Sequence, residues 1–134
     1  MKIEDERGGA VSCINSPELS TPGGHYSHAC VHGNTVYLSG QLPVDPDGNV
    51  LADRPFAEQA NQVLFNIDAT LRAAGSGRDR LIQVRIFITD MAQWPEFNRI
   101  YAEWIGGHRP ARIVAGVSEL HFGSALEVEA VAGI

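Results

Sequence analysis

The stretch Leu81-Ile82-Gln83-Val84-Arg85-Ile86-Phe87-Ile88-Thr89 alternates and reads as a β-strand. Its period of two puts Ile82, Val84, Ile86 and Ile88 on one face and Gln83, Arg85, Phe87 and Thr89 on the other. On either side the period changes. Upstream, Phe56, Ala60, Val63, Leu64, Ile67 and Leu71 fall at helical spacing, while Glu58, Gln59, Gln62 and Asp68 take other faces. Pro55 suits the first helical position and Gly75 the residue after the last turn. Downstream, Phe97, Ile100, Tyr101, Trp104 and Ile105 predict a helix over about 95–105, closed by Gly106-Gly107.

Working outward, Ala10–Ile14, His28–His32 and Thr35–Ser39 read as strands, the last two joined by Gly33-Asn34 as a hairpin turn. Residues 16–24 are dense in turn formers and read as a loop, and Asp45-Pro46-Asp47-Gly48 is a further turn. Arg112–Val117 and Ala125–Val131 close the chain as strands. The order β-β-β-α-β-α-β-β makes an α+β fold with a sheet of about six strands. Two amphipathic helices can cover only one face of that sheet. Phe87 and Val131 lie on the uncovered face, which favours contact with another subunit over contact with water. Residues 1–9 carry five charges and then Gly8-Gly9, and predict a frayed end.

The 134 residues, 44% hydrophobic and 19% charged, match one globular domain and exclude extended disorder. No apolar run reaches the length of a membrane span, and the charged N-terminus lacks the apolar stretch of a secretory signal. A net charge of −6 argues against binding a phosphate backbone, which needs clustered cations. Two cysteines, Cys13 and Cys30, cannot make a disulfide scaffold and suit a reducing cytoplasm. They read as inert small apolar side chains.

Chemistry is most legible at Arg112, near the start of an apolar strand just after Pro110. An arginine there needs an anion, and its planar fork fits a carboxylate. That anion is either a substrate or a structural partner among Glu119, Glu127 and Glu129. In Leu126-Glu127-Val128-Glu129-Ala130 the two glutamates share a strand face, roughly 7 Å apart, and would repel if dry and unpaired. One could direct a water or act as a general base; alternatively both are solvated or paired. Strand geometry does not choose between them. His25, His28, Cys30 and His32 invite a metal reading, but only 28, 30 and 32 share a face, so hydrogen-bonded histidines are the default and no metal is assigned.

Five segments in this order resemble the reactive intermediate deaminase family, RidA or YjgF, formerly labelled L-PSP endoribonucleases. They are Tyr26-Ser27-His28-Ala29, Leu38-Ser39-Gly40-Gln41-Leu42-Pro43, Phe97-Asn98-Arg99-Ile100-Tyr101, Arg109-Pro110-Ala111-Arg112 and Leu126-Glu127-Val128-Glu129-Ala130, covering roughly residues 25–132. The resemblance implies a single RidA-like domain over residues 1–134 with a chorismate-mutase-like fold, a mixed sheet backed by two helices. It also implies a homotrimer whose sheets form a central barrel, with ligand clefts between subunits. The implied activity is hydrolysis of 2-imino acids such as 2-iminobutanoate and 2-iminopropanoate to 2-keto acids and ammonia. No cofactor and no metal are implied. The enzyme would act on a small carboxylate released by pyridoxal-phosphate enzymes, without a required complex with them, in the cytoplasm and away from membranes and nucleic acid.

Matched position by position, Arg112 resembles the arginine that grips the substrate carboxylate, and Glu127 the glutamate that directs the water. Tyr26, Ser39, Gly40 and Asn98 resemble the residues lining the cleft, and Val114 stands in its wall where many members have a cysteine. His25 and His28 stand where the family has proline and glutamine, so the departures bear on substrate identity. Alternatives are a non-catalytic trimer that binds 2-keto acids, a branch acting on 2-aminomuconate or aminoacrylate, and the older ribonuclease label, which the acidic charge disfavours.

Overall fold

The computed structural model describes residues 2–4 and 9–134. Seven strands form one sheet: β1 (Lys2–Glu4), β2 (Ala10–Ile14), β3 (Ala29–His32), β4 (Thr35–Gln41), β5 (Leu81–Ile88), β6 (Ala111–Gly116) and β7 (Leu126–Gly133). Their spatial order is β1-β2-β3-β4-β7-β5-β6, and every neighbouring pair is antiparallel except β5–β6. The expected frayed end is corrected in part, because Lys2–Glu4 pairs with Ala10–Ser12 as an added edge strand. Residues 1 and 5–8, which share that expectation, lie outside the described residues.

Helix α1 (Phe56–Ala73) and helix α2 (Trp94–Ile105) lie on one face of the sheet. The whole predicted stripe of α1 is buried, from Phe56 to Leu71. Pro55 sits one place earlier than expected, at the N-cap with an extended ψ of 152°. The C-terminal end follows the glycine signal: Gly75, at φ 75°, lets its own amide bond Arg72 and the Ser76 amide bond Leu71. Packed beneath both helices are Val84, Ile86 and Ile88 of β5 and Leu126, Val128 and Ala130 of β7. At about 25 cal/mol per Å² of buried apolar surface, this continuous layer is the main favourable contribution to folding.

Two predicted face assignments fail. Between Leu81 opposite Ala132 and Gln83 opposite Val131, β5 carries one extra residue, a β-bulge. The bulge reverses the alternation at the strand's start, so Leu81 is buried and Ile82 is 51% exposed. Gln59, predicted to take an outer face of α1, is also buried. Its amide donates to the Ala52 and Arg54 carbonyls and its oxygen accepts from the Ala125 amide, tying the loop before α1 to the start of β7.

Candidate functional site

A bulge in β4 builds the main cleft. Leu38 opposes Ala130 and Gln41 opposes Val128, so the Ser39-Gly40 segment carries an extra residue against β7. Bulges re-aim side chains and commonly sit beside active sites. Here the bulged backbone makes room for Glu127: a Cβ on Gly40 would lie 2.6 Å from Glu127 Oε2 and 3.0 Å from its Cδ. No side chain larger than hydrogen fits there without moving the carboxylate. The Ser39 hydroxyl donates to the Ser27 carbonyl at 2.6 Å and the Ser39 amide to the His28 carbonyl at 2.9 Å, so β4 also anchors the loop across the cleft.

That loop is held by His28. Its Nδ1 accepts from the Ser16 amide at 2.9 Å and its Nε2 bonds the Ser20 carbonyl at 3.1 Å. Its own amide donates to Asn15 Oδ1. This pattern suits the neutral ring with its proton on Nε2. Burial holds its pKa below the usual histidine range, against the opposite pull of the Ser20 carbonyl. Both ring nitrogens are therefore committed to backbone. Opposite, buried Asn66 of α1 donates to the Leu42 and Val44 carbonyls and fixes the cleft's third wall.

The resulting cleft has a volume of about 630 Å³ and is lined by Tyr26, Ser39, Gly40 and Glu127 together with His121, Phe122 and loop residues 19–24. His121 and Phe122 occupy a tight turn before β7, their rings 3.9 Å apart, and Phe122 holds a left-handed backbone at φ 63°. Positive φ is rare for a bulky residue and concentrates at functional sites.

The two glutamates separate clearly. Glu129 pairs with Arg85 across β5 and β7 at 3.1 Å. Among the described residues Glu127 has no hydrogen bond or ion pair, and burial, then repulsion from Glu129, raises its pKa above the usual carboxylate range. Nearby His121 pulls the other way more weakly. A carboxyl with this surround can hold and deprotonate a water closer to neutral pH than an exposed one.

Arg112 is elsewhere. Its register partner is Val84, a core residue, so its side chain is on the helix face of the sheet, at the outer strand β6. Its guanidinium carbon lies 4.9 Å from the Trp94 ring centre and 5.0 Å from that of Tyr101. Its Nη1 donates to Asn98 Oδ1 at 3.1 Å. No carboxylate among the described residues pairs with it, so neither Glu119, Glu127 nor Glu129 is its structural partner. Val114 follows two residues on, opposite Ile86 and packed against the core.

The sequence-predicted residues therefore fall into two groups. Tyr26, Ser39, Gly40 and Glu127 meet in the cleft, while Asn98, Arg112 and Val114 gather at the β6 edge. Asn98 orients Arg112 and does not line the cleft of its own chain. Sequence reasoning missed Gln59, Asn66, His121 and Phe122. The first two look like ordinary polar helix positions, and the last two lie in a turn with no periodic signal.

Comparison with known proteins follows this geometry. The family model described as Endoribonuclease L-PSP matches residues 16–134. The chain is 40% identical over 122 residues to Protein HMF1 of Saccharomyces cerevisiae, covering 91% of this chain and 92% of that one. It is 34% identical over 118 residues to a 2-iminobutanoate/2-iminopropanoate deaminase of Dermatophagoides farinae, covering 88% and 92%. The crystal structure of the Rid family protein YyfA of Yersinia pestis superposes with a TM-score of 0.89 at 36% identity, covering 92% of this chain and 99% of that one. The fold is the chorismate-mutase-like α+β fold of these proteins. With its cleft, its bulged Ser39-Gly40 segment and its edge arginine in that frame, the chain belongs to the L-PSP family, the RidA/YjgF group.

Proposed function

We propose that this protein is a hydrolytic deaminase of small 2-imino acids, and that its working site forms between copies of the chain in a homotrimer. One observation carries the reading: the two groups that imine hydrolysis needs are both poised, but on different parts of one chain. Arg112 is a cation with no carboxylate partner among the described residues, at an outer strand, and Glu127 is a carboxylate of raised pKa in an open cleft. A neighbouring copy that brings its Arg112 to the mouth of this cleft completes the pair. The helix-free face supports such packing, since Tyr37 and Ile113 are 50% and 54% exposed on it and Phe87 and Val131 are half-buried.

In this site Arg112 holds the substrate carboxylate by two parallel hydrogen bonds. Glu127 orients a water and takes one of its protons as the oxygen adds to the imine carbon. The resulting carbinolamine gains a proton on nitrogen and expels ammonia, leaving a 2-keto acid. The sum is one imino acid plus one water giving one keto acid plus one ammonia. Positioning supplies most of the effect, because the imine carbon is already electrophilic.

The named relative from Dermatophagoides farinae supports this substrate class. The ribonuclease label finds less support: among the described residues Arg54, Arg72, Arg78, Arg85 and Arg99 are paired with carboxylates, which leaves Arg80, Arg109 and Arg112 outside such pairs. A coupled assay tests the proposal. Threonine dehydratase generates 2-iminobutanoate, semicarbazide competes for it, and added protein should speed 2-ketobutyrate release. Sedimentation equilibrium should give about three times the 14.5 kDa chain mass. No acceleration at any protein concentration overturns the activity, and a monomer at micromolar concentration overturns the shared site.

A further inference from the structure

Cys13 and Cys30, inert by sequence, are brought together by strand register. They are direct partners in the β2–β3 ladder, and the Cys30 thiol lies 3.6 Å from the Cys13 sulfur. Directly opposed residues on antiparallel strands have Cα atoms about 4.5–5.5 Å apart. Disulfides span Cα separations of roughly 4.4–6.8 Å. The Cα separation is therefore within disulfide range, and closing the bond requires side-chain rotation that brings the two Cβ atoms nearer. The chain between the two cysteines includes the loop that lines the cleft, Leu19 to Gly24 with Tyr26 and His28. The pair stands at the base of that loop.

We propose that Cys13 and Cys30 form an oxidative modification site, at which a two-electron oxidant of the peroxide or azo class joins them in a disulfide that clamps the base of the cleft loop. With a peroxide, one thiolate attacks the peroxide oxygen to give a sulfenic acid and a first water. The second sulfur then displaces that oxygen as a second water, so two thiols and one peroxide give one disulfide and two waters. With an azo reagent such as diamide, the nitrogen–nitrogen double bond takes up the two electrons and two protons.

The surroundings set the rate. Burial, then the hydrogen bond and charge of Cys13, push the Cys30 thiol above its ordinary pKa. Since the thiolate is the nucleophile, attack by Cys30 quickens as pH rises. The inference holds whatever the cleft binds, and it concerns the sheet face that the trimer reading packs between copies, since Cys30 is the register partner of Tyr37.

The test uses the full chain treated with diamide at pH 8.5, then unfolded for thiol titration and intact-mass measurement. Both thiols should disappear together, the mass should fall by about two hydrogens, and the product should migrate as a single chain on a non-reducing gel. The Tm should rise by about 5 °C or more, as expected for closing a loop of this size, and return on reduction. Protease cleavage within residues 15–28 should slow. Cys13→Ser and Cys30→Ser should each keep one titratable thiol and show no Tm shift. Two thiols surviving diamide, chain-to-chain disulfides as the product, or an equal Tm rise in Cys13→Ser would each overturn the proposal.

Discussion

Glu127 and Arg112 are charged side chains on the same sheet, yet their settings are opposite. Glu127 lies in a cleft cut by a β-bulge, without a bonding partner among the described residues and with a raised pKa. Arg112 lies at an outer strand between two aromatic rings, with Asn98 fixing its fork. One setting makes a carboxylate more basic by isolating it. The other orients a cation by giving it ring faces and one neutral acceptor. The lesson is that one chain can hold a carboxylate and a cation in opposite settings and still keep them apart, which is why the proposed function needs a second copy.

The most severe way to break this comparison is to remove its cation. Arg112→Ala should cost about 2–5 kcal/mol of transition-state binding, a fall in kcat/KM of roughly 30- to 5,000-fold, and Arg112→Lys should rescue poorly because the fork is lost. Wild-type kinetics in Arg112→Ala would make the edge structural only.

Next comes the carboxylate. Glu127→Gln should lower kcat by roughly 10²–10⁴ while keeping much of the affinity for 2-ketobutyrate. Glu129→Gln should leave kcat nearly unchanged, since Glu129 is occupied by Arg85. The pH profile sharpens the distinction. Glu127 must be ionised to take a proton, and its pKa is raised, so the rate should climb with pH through a limb above the usual carboxylate range. In Glu129→Gln the repulsion is gone, and that limb should move to lower pH. A limb unmoved by Glu129→Gln would show that another group titrates.

Gly40→Ala probes the cleft without touching a charge. Its Cβ must displace the Glu127 carboxylate. A misplacement on the order of 1 Å can cost about 10²-fold, so kcat should fall by that order with the sedimentation mass unchanged. Retained activity would mean that Glu127 works from another position.

The smallest expected effect is at the cage. Trp94→Leu should raise KM about 2- to 5-fold with little change in kcat, and Trp94→Phe should restore most of the loss, as a cation–π contact is worth about 0.5–1 kcal/mol at an exposed site. A loss of kcat alone would show that Trp94 does not act through Arg112.

Much of the fold follows from local pattern alone. The stripe of α1, the glycine ends of both helices and the Gly33-Asn34 turn all lie where spacing puts them, because helix period, capping and turn chemistry are local properties. The alternation in Leu126–Ala130 also placed Glu127 and Glu129 on one face correctly. What the pattern missed came from partners distant in sequence. Ile82 turns outward where β5 bulges against β7, and Gln59 is buried because its amide bonds the loop carbonyls of Ala52 and Arg54 and, far along the chain, the Ala125 amide.

The same division holds for the candidate site. From the residues alone came an arginine in need of an anion, a glutamate pair on one face, and motifs whose order matches the L-PSP family. Tertiary structure alone decided which glutamate is paired, that Arg112 shares the helix face with Val84 while Glu127 faces the cleft, and that Cys13 meets Cys30. The physical reason is register. A strand's own sequence states which residues share a face, but only pairing with other strands determines which residues stand opposite and where a bulge falls.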